Sequence, residues 1–417
     1  MAIDSTRAQR LILAAAVVGF ALRLAFGFGY WQHRPLTHDE REYLALARSL
    51  TQGKGFVYDS RAGEIGTSQQ FGRAPGYPVF LALIGAGGEE FDATPARVKL
   101  AQSIVGAVGV WLIGLIAHRA AGSRAGIAAA TIAAVYPPLV WICSYVFSEP
   151  LYSTLALASA VLLNLALDRA EISRRTAVPL AVAAGLTVGL AILVRPAMLF
   201  FLPIAALWLV ARRRTPTAIV VCVAAALVVA PWTVRNARVY HRFVLVASEG
   251  GVTFWTGNHP RARGEGDLAA NPDIKVADLT FRAEHPGMTA EELEPLYYRD
   301  AIRYITTHPL WWVGLLLKKV FYTVVPAGPS YALHSPLYRF VSLASYLLVL
   351  PLGVLGAIRW RSRPHRPETL VPLAASAVMV CILFFPQERF RIPVLDPVLI
   401  VCAGAWYGLR AREAIEM

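Results

Sequence analysis

Apolar runs long enough to cross a lipid bilayer recur along this chain. The first, Leu11 to Tyr30, has about the length that a helix needs to span the hydrocarbon layer. It is too long for the core of a signal peptide, and no small-residue cleavage site follows it, so it reads as a retained span. Further spans are predicted at about 98–117, 125–142, 149–167, 177–194, 197–211, 216–234, 337–358, 369–386 and 391–411. The pair 177–194 and 197–211 can be one unit broken at Arg195-Pro196. With 56% hydrophobic and only 16% charged residues, the sequence predicts an all-α polytopic membrane protein.

A net charge of +13 invites nucleic acid as a partner. The distribution argues against it, because the arginines lie in short loops between apolar segments, the pattern of cytoplasmic loops. Arg7 and Arg10, the loops His118 to Arg124, Arg169 to Arg175 and Arg212 to Arg214, and Arg410 with Arg412 are read as cytoplasmic. The first loop, 31–97, and a polar segment, 239–308, then fall outside, with 309–325 interfacial because Lys318 and Lys319 interrupt it. Three regions follow: 1–238 as a membrane module that includes the first outside loop, 239–308 as a small outside segment, and 309–417 as an interfacial helix with the last spans. Cys143, Cys222, Cys381 and Cys402 have neither metal spacing nor a disulfide framework. Arg23 lies inside the first span, where an arginine is either functional or snorkels to the interface.

The first outside loop opens with a dense charge group, Thr37-His38-Asp39-Glu40-Arg41-Glu42-Tyr43. Thr37 with Glu40 three residues on is a capping-box pattern. Tyr43, Leu46, Ala47 and Leu50 then make one apolar face, which predicts an amphipathic helix on the membrane surface. Asp39 falls in its first turn, on the side of Tyr43, where the positive helix end keeps the carboxylate ionised and able to act as a base. Asp39, Glu40, Arg73, Glu149, Arg195, Arg235, Glu388, Arg389 and Arg391 all come to one side of the membrane in this topology. Arginine binds phosphate with paired donors, and a lipid phosphate has its head at this depth.

Seven segments, in order, are Asp39-Glu40-x-x-Tyr43, Arg73-x-Pro75-x-Tyr77-Pro78, Ser148-Glu149-Pro150-Leu151-Tyr152, Val194-Arg195-Pro196, Pro231-Trp232-Thr233-x-Arg235-Asn236, Gly257-Asn258-x-Pro260 and Arg389-Phe390-Arg391-x-Pro393. Together they resemble the bacterial membrane glycosyltransferases of the GT-C class, in particular the family-39 and RgtA/B/C/D-like branch related to protein O-mannosyltransferases and the lipid A aminoarabinose transferase. No single segment is specific; their order between membrane helices is. The resemblance implies a GT-C architecture in a bacterial inner membrane, with the active site facing the periplasm. It also implies a polyprenyl-phosphate sugar as donor. Asp39 matches the family's catalytic base, Glu40 its neighbour that places the acceptor, and Arg73 a cation that contacts the lipid phosphate. Tyr43, Tyr77, Glu149, Arg195, Arg235, Asn258, Arg389 and Arg391 stand with the substrate-binding set. The chain lacks the large soluble C-terminal domain of bigger relatives, so a lipid or glycan acceptor is expected over a protein. No cofactor is called for; a divalent metal is left open, because Asp39, Glu40 and Glu149 can meet, although no spacing demands one.

Two other functions compete. A transporter or flippase of lipid-linked sugars needs a charged path through the membrane, whereas these charges gather at one face. A non-catalytic scaffold would tolerate loss of the outside arginines. Plainer roles compete residue by residue: Glu40 as a cap, Arg73 as an interface anchor, Arg195 as a helix end, Asp396 as a buried hydrogen-bonding group.

Overall fold

A computed structural model describes residues 5–57, 72–88, 91–266, 271–325, 335–360 and 368–416. Charge bias in the sequence also marks a basic cytoplasmic loop at Arg359 to Arg366, which lies mostly outside the described residues. What is described is helical, with no β-strand, as a bilayer requires of backbone that has no water to bond to. In chain order the helices are α1 (Ser5–Ala25), prolonged by a π-turn at Phe26–Tyr30, then α2 (His38–Thr51), α3 (Gly76–Leu83), α4 (Ala96–Ala121), α5 (Ser123–Val135) and α6 (Pro137–Trp141). There follow α7 (Glu149–Ala170), α8 (Arg174–Val194), α9 (Phe201–Ala211), α10 (Thr215–Tyr240), α11 (Gly250–Asn258), α12 (Pro272–Ala283) and α13 (Ala290–Thr307). The last are α14 (Pro309–Val324), α15 (Pro336–Trp360), α16 (Leu370–Leu383), α17 (Glu388–Arg391) and α18 (Leu395–Glu416).

Six of these, α1 with its π-turn, α4, α7, α8, α10 and α15, are long and apolar enough to cross a membrane, and α5 with α6, bent by 63°, makes a seventh. Three shorter apolar helices, Pro196–Ala211, Leu370–Leu383 and Leu395–Leu409, stand where the sequence predicted further spans. The protein is thus a multi-pass membrane protein. The bend at Tyr136-Pro137 has a local cause, because proline disfavours a helical residue before it and Tyr136 takes an extended ψ of 112°. Helices α4, α7 and α8 form the centre of the bundle, whereas α1, α10 and α15 turn much of their apolar surface outward, as at Leu13, Val17, Leu227 and Leu348.

Small residues set the distances between helices. Helix α5 packs Ala125, Ala129, Ala130 and Ala133, all buried, against α1, α4 and α18. In a membrane the backbones must approach closely for dispersion contacts to hold helices together, and small side chains permit it. Residues 248–307 add a second, smaller core: Val252, Trp255, Ile274, Leu293, Tyr297 and Ala301. Asn258 fastens that core to the bundle. Its Nδ2 donates to the Leu383 carbonyl at 2.9 Å, and its Oδ1 accepts from Trp312 Nε1 and from Lys319 Nζ, both at 3.0 Å. Lys319 is fully buried in α14, so one of the two lysines that made 309–325 ambiguous is a packed hydrogen-bond donor.

Arg23 does not snorkel. It is 1% exposed, its Nη1 donates to the Gly19 carbonyl at 2.8 Å, and it lines a small cavity with Glu149, Ser153, Ile113 and Ile392. Asp396 is a buried bonding group, accepting from Arg391 Nε at 2.8 Å and from the Tyr136 hydroxyl at 3.0 Å.

Helix α3 begins against the end of α8, and Gly76 is what lets it. A Cβ there would lie 2.8 Å from the Leu193 carbonyl and from the Val194 nitrogen. On a free helix, replacing glycine by alanine stabilises by about 0.4–1 kcal/mol. Here Gly76→Ala is expected to cost about 1–3 kcal/mol through overpacking and to lower the melting temperature in detergent. An unchanged or raised melting temperature would show that α3 does not rest on α8.

Candidate active site

One end of the bundle gathers α2, the segment 72–75, the starts of α7 and α11, the corner after α8, and α17. Helix α2 starts as its sequence dictates. The Thr37 amide donates to Glu40 Oε2 at 2.8 Å, closing a capping box. Asp39, Glu42 and Tyr43 then share a face, being three and four residues apart. The segment 72–73 is held by paired bonds to residue 248: the Ser248 amide donates to the Gly72 carbonyl at 3.0 Å, and the Gly72 amide to Ser248 Oγ at 2.8 Å. This pairing sets Arg73 beside Glu249. Pro196 keeps Arg195 extended (φ −148°, ψ 115°), so its side chain leaves the end of α8 sideways. Glu149 is the first residue of α7, where the positive helix end favours a carboxylate.

The side chains meet in a continuous network of ion pairs. Arg73 donates from Nη2 to Asp39 Oδ1 at 2.9 Å, from Nε to Glu42 Oε2 at 2.8 Å and from Nη1 to Glu249 Oε2 at 2.9 Å. Its guanidinium lies 5.4 Å from the centre of the Tyr43 ring, within cation–π range. Arg389 donates from Nη1 to Asp39 Oδ2 and from Nε to Glu149 Oε1, both at 2.8 Å, and lies 4.2 Å from the Phe147 ring centre. Arg195 Nη1 reaches Glu149 Oε1 at 2.8 Å and Ser148 Oγ at 3.3 Å, with its guanidinium 4.9 Å from the Phe390 ring centre. His38 stands on the rim, 3.2 Å from Glu42 Oε1. Glu149 has no exposed side-chain surface, whereas Asp39 and Glu249 keep 29% and 30% of theirs. The cluster therefore opens outward from a buried floor.

The electrostatics follow. Burial pushes the Asp39 carboxyl up, but the Arg73 and Arg389 guanidinium groups outweigh it and hold Asp39 well below the usual carboxylate range. Glu42 is lowered as well, Arg73 and His38 outweighing burial. Glu249 moves the other way, because burial exceeds the pull of Arg73 and its neighbours Asp39 and Glu42 carry like charge. The bond to Glu42 raises His38.

Of the residues singled out in the sequence, Asp39, Arg73, Glu149, Arg195 and Arg389 join directly, and Tyr43 lies under Arg73. Tyr77 stands behind Tyr43, their ring centres 4.9 Å apart edge to face, and its hydroxyl donates to Gln102 Oε1 at 3.1 Å. Four others are placed elsewhere. Glu40 turns back into the fold, its Oε1 accepting from the Val146 amide at 2.8 Å while Oε2 caps the helix. Arg391 lies two residues from Arg389, hence on the far side of α17, and binds Asp396. Arg235 donates to the Phe56 carbonyl, Asn236 Oδ1 and the Tyr240 hydroxyl, each at 3.2 Å, and packs over Trp232. Asn258 is the fastening of the small core described above. Glu42 and Glu249 were not foreseen; helical spacing from Asp39 marks Glu42, whereas nothing local marks Glu249. Among the described residues no three His, Cys, Asp or Glu side chains are grouped to hold a metal ion. Asp39 and Glu149 are instead joined through Arg389, and Glu40 faces Val146.

The buried floor and the open rim respond differently to truncation. Glu149→Ala leaves Arg195 and Arg389 without their shared carboxylate, a loss of about 3–5 kcal/mol for a buried pair. Glu249→Ala removes a partly exposed partner and costs less than about 1 kcal/mol. Thermal unfolding of the two variants in the same detergent checks the ordering, and equal losses would contradict it.

Residues 74–234 match the family model described as dolichyl-phosphate-mannose-protein mannosyltransferase. None of the curated proteins matches the chain. Among solved structures, the chain is similar to the Archaeoglobus fulgidus oligosaccharyltransferase AglB, solved in complex with an inhibitory peptide and a dolichol-phosphate. The identity is 15%, the coverage is 97% of this chain and 51% of that one, and the TM-score is 0.56. The same enzyme tethered to an acceptor peptide gives 14% identity, 96% and 49% coverage, and a TM-score of 0.60. ArnT from Cupriavidus metallidurans bound to undecaprenyl phosphate gives 15% identity, 99% and 80% coverage, and a TM-score of 0.42. This chain spans about half the length of the oligosaccharyltransferase chains. The fold is that of the GT-C membrane glycosyltransferases.

Proposed function

We propose that this protein is a membrane glycosyltransferase that moves a monosaccharide from a polyprenyl-phosphate donor to a lipid or glycan acceptor, with inversion at the anomeric carbon. The end of the bundle that carries the cluster faces the periplasm of a bacterial inner membrane. One observation carries the reading: Asp39 is held between the guanidinium groups of Arg73 and Arg389, at an open rim where the backbone leaves the membrane helices. A carboxylate flanked by arginines suits a reaction that needs a proton acceptor beside a departing phosphate. The family match over 74–234 and the dolichol-phosphate in the AglB complex of the same fold support a lipid-phosphate donor.

The chemistry runs as a single displacement. The acceptor hydroxyl gives its proton to Asp39 as its oxygen forms a bond to the anomeric carbon. The bond from that carbon to the phosphate oxygen breaks, and the phosphate keeps the electron pair. Arg73 and Arg389 take up the developing charge, with Arg195 behind them on Glu149. With both its oxygens accepting from guanidinium groups, Asp39 is ionised but a weak base. A donor phosphate that shares Arg73 and Arg389 draws them off Asp39 and raises its basicity when a substrate is present. Glu40 serves as the tie that fixes α2 to the Val146 loop, and so positions Asp39.

Asp39→Asn keeps the shape of the side chain and removes the proton acceptor. Transfer from a polyprenyl-phosphate sugar by purified protein is expected to fall at least about a hundredfold, with the melting temperature kept and donor binding unweakened. Full transfer by this variant would remove Asp39 from the reaction. Wild-type protein that moves the lipid-linked sugar across vesicles without transferring it would favour a flippase.

A further inference from the structure

Three guanidinium groups in the cluster, Arg73, Arg195 and Arg389, face four carboxylates, Asp39, Glu42, Glu149 and Glu249. With His38 neutral, the site therefore carries a surplus negative charge, yet the reading above has it accept a phosphodiester anion. One carboxylate must give way. Glu149 is fully buried between two arginines, and Glu42 is buried against Arg73 and His38. Asp39 is held by two arginines. Glu249 differs from all three. Its tie to the cluster is the bond from Arg73 Nη1 alone among the arginines, and it sits at the N-cap of α11 on the open rim, as exposed as Asp39 but without that residue's second guanidinium.

We infer that Glu249 occupies on Arg73 the place of the donor phosphate, and that the donor enters by displacing it as a protonated acid. This rests on the site being a phosphate site. A carboxylate and a phosphate present similar paired oxygens to guanidinium, so the exchange keeps Arg73 paired throughout. The proton comes from solvent; Glu249 gains it, releases Arg73 Nη1, and a phosphate oxygen accepts in its place.

The surroundings of Glu249 shift it toward the uncharged form. From α2 it faces Asp39 and Glu42, and from segment 72–75 and the α8 corner it faces Arg73 and Arg195. From α13 it faces Glu294 and, through Ser248, Glu291, whose Oε1 accepts from Ser248 Oγ at 3.0 Å. Burial, helped by Glu291 and Glu249, pushes Glu294 up to about 7. Burial pushes Glu249 itself up despite Arg73. A group that binds a proton together with the ligand makes affinity fall by about tenfold per pH unit above its own pKa. His38, on the opposite rim beside Glu42, also gains positive charge as pH falls, and must be separated from Glu249.

The probe is a farnesyl methyl phosphodiester, whose single charge does not change between pH 6 and pH 8.5, titrated calorimetrically into the purified protein in detergent. Wild-type protein is expected to bind at least about tenfold more tightly at pH 6 than at pH 8.5. Glu249→Gln is expected to bind at pH 8.5 as wild-type does at pH 6, without the slope, whereas His38→Gln keeps the slope. A wild-type affinity that does not change with pH overturns the inference without recourse to any variant. So does a slope that survives Glu249→Gln or disappears with His38→Gln. Absence of binding by wild-type at every pH would overturn the phosphate site itself, a different outcome from binding with no slope.

Discussion

Arg389 joins Asp39 and Glu149, residues 350 and 240 positions away in the chain, through two bonds of 2.8 Å. That bridge depends on a general constraint: a charge brought out of water near a membrane must find a partner of opposite sign. Glu149 has no exposed side-chain surface, so it can stay ionised only with Arg195 and Arg389 upon it. Satisfying Glu149 therefore fixes the corner after α8 and the short helix α17 against the start of α7. Asp39 then ties α2 to the same arginine. The segment that carries α2, the centre of the bundle and the last third of the chain become one site because their charges cannot be left unpaired.

The apolar framework makes this pairing geometrically possible. Alanine-rich α5 allows α1, α4 and α18 to close around it. Gly76 lets α3 start against α8, which carries Arg73 to the Arg195 corner. Asn258, with Trp312 and Lys319 as donors, holds the small core of α11 and α13 against α14 and α16, and so carries Glu249 to the rim. The residues that shape the site are thus not those with the chemistry. They are small residues and neutral hydrogen-bonding groups at crossings between helices.

The network also explains how a strongly basic chain can hold a site with excess negative charge. Many of its arginines lie at the other end of the bundle. Arg119 pairs there with Asp168, Arg212 with Glu368 and Arg214 with Glu171. These pairs are partly exposed and contribute little to stability. At the site Arg73 and Arg389 are better sheltered, and each is shared among carboxylates. A sheltered arginine responds strongly to what replaces its partner.

Much of the fold was legible in the sequence. Hydropathy marked the places of the long helices, Thr37 and Glu40 marked the start of α2, and spacing placed Asp39 and Tyr43 on one face. These are local properties, carried by segments of about twenty residues or fewer. The sequence also brought Asp39, Arg73, Glu149, Arg195 and Arg389 to one side of the membrane. It had no means to separate Arg389 from Arg391, because both stand in one motif; the direction of α17 turns one to Asp39 and the other to Asp396. Glu40 read as part of the site, and the Val146 amide, 106 residues away, claims it instead. Glu249 had no local mark at all, and reaches Arg73 because Ser248 pairs with Gly72. The sequence thus determined the helices, the membrane and part of the set of charges, since hydrophobicity and period act within a segment. Only the tertiary structure decided which charge meets which, since ion pairing acts over a few ångströms between segments whose approach is set by packing.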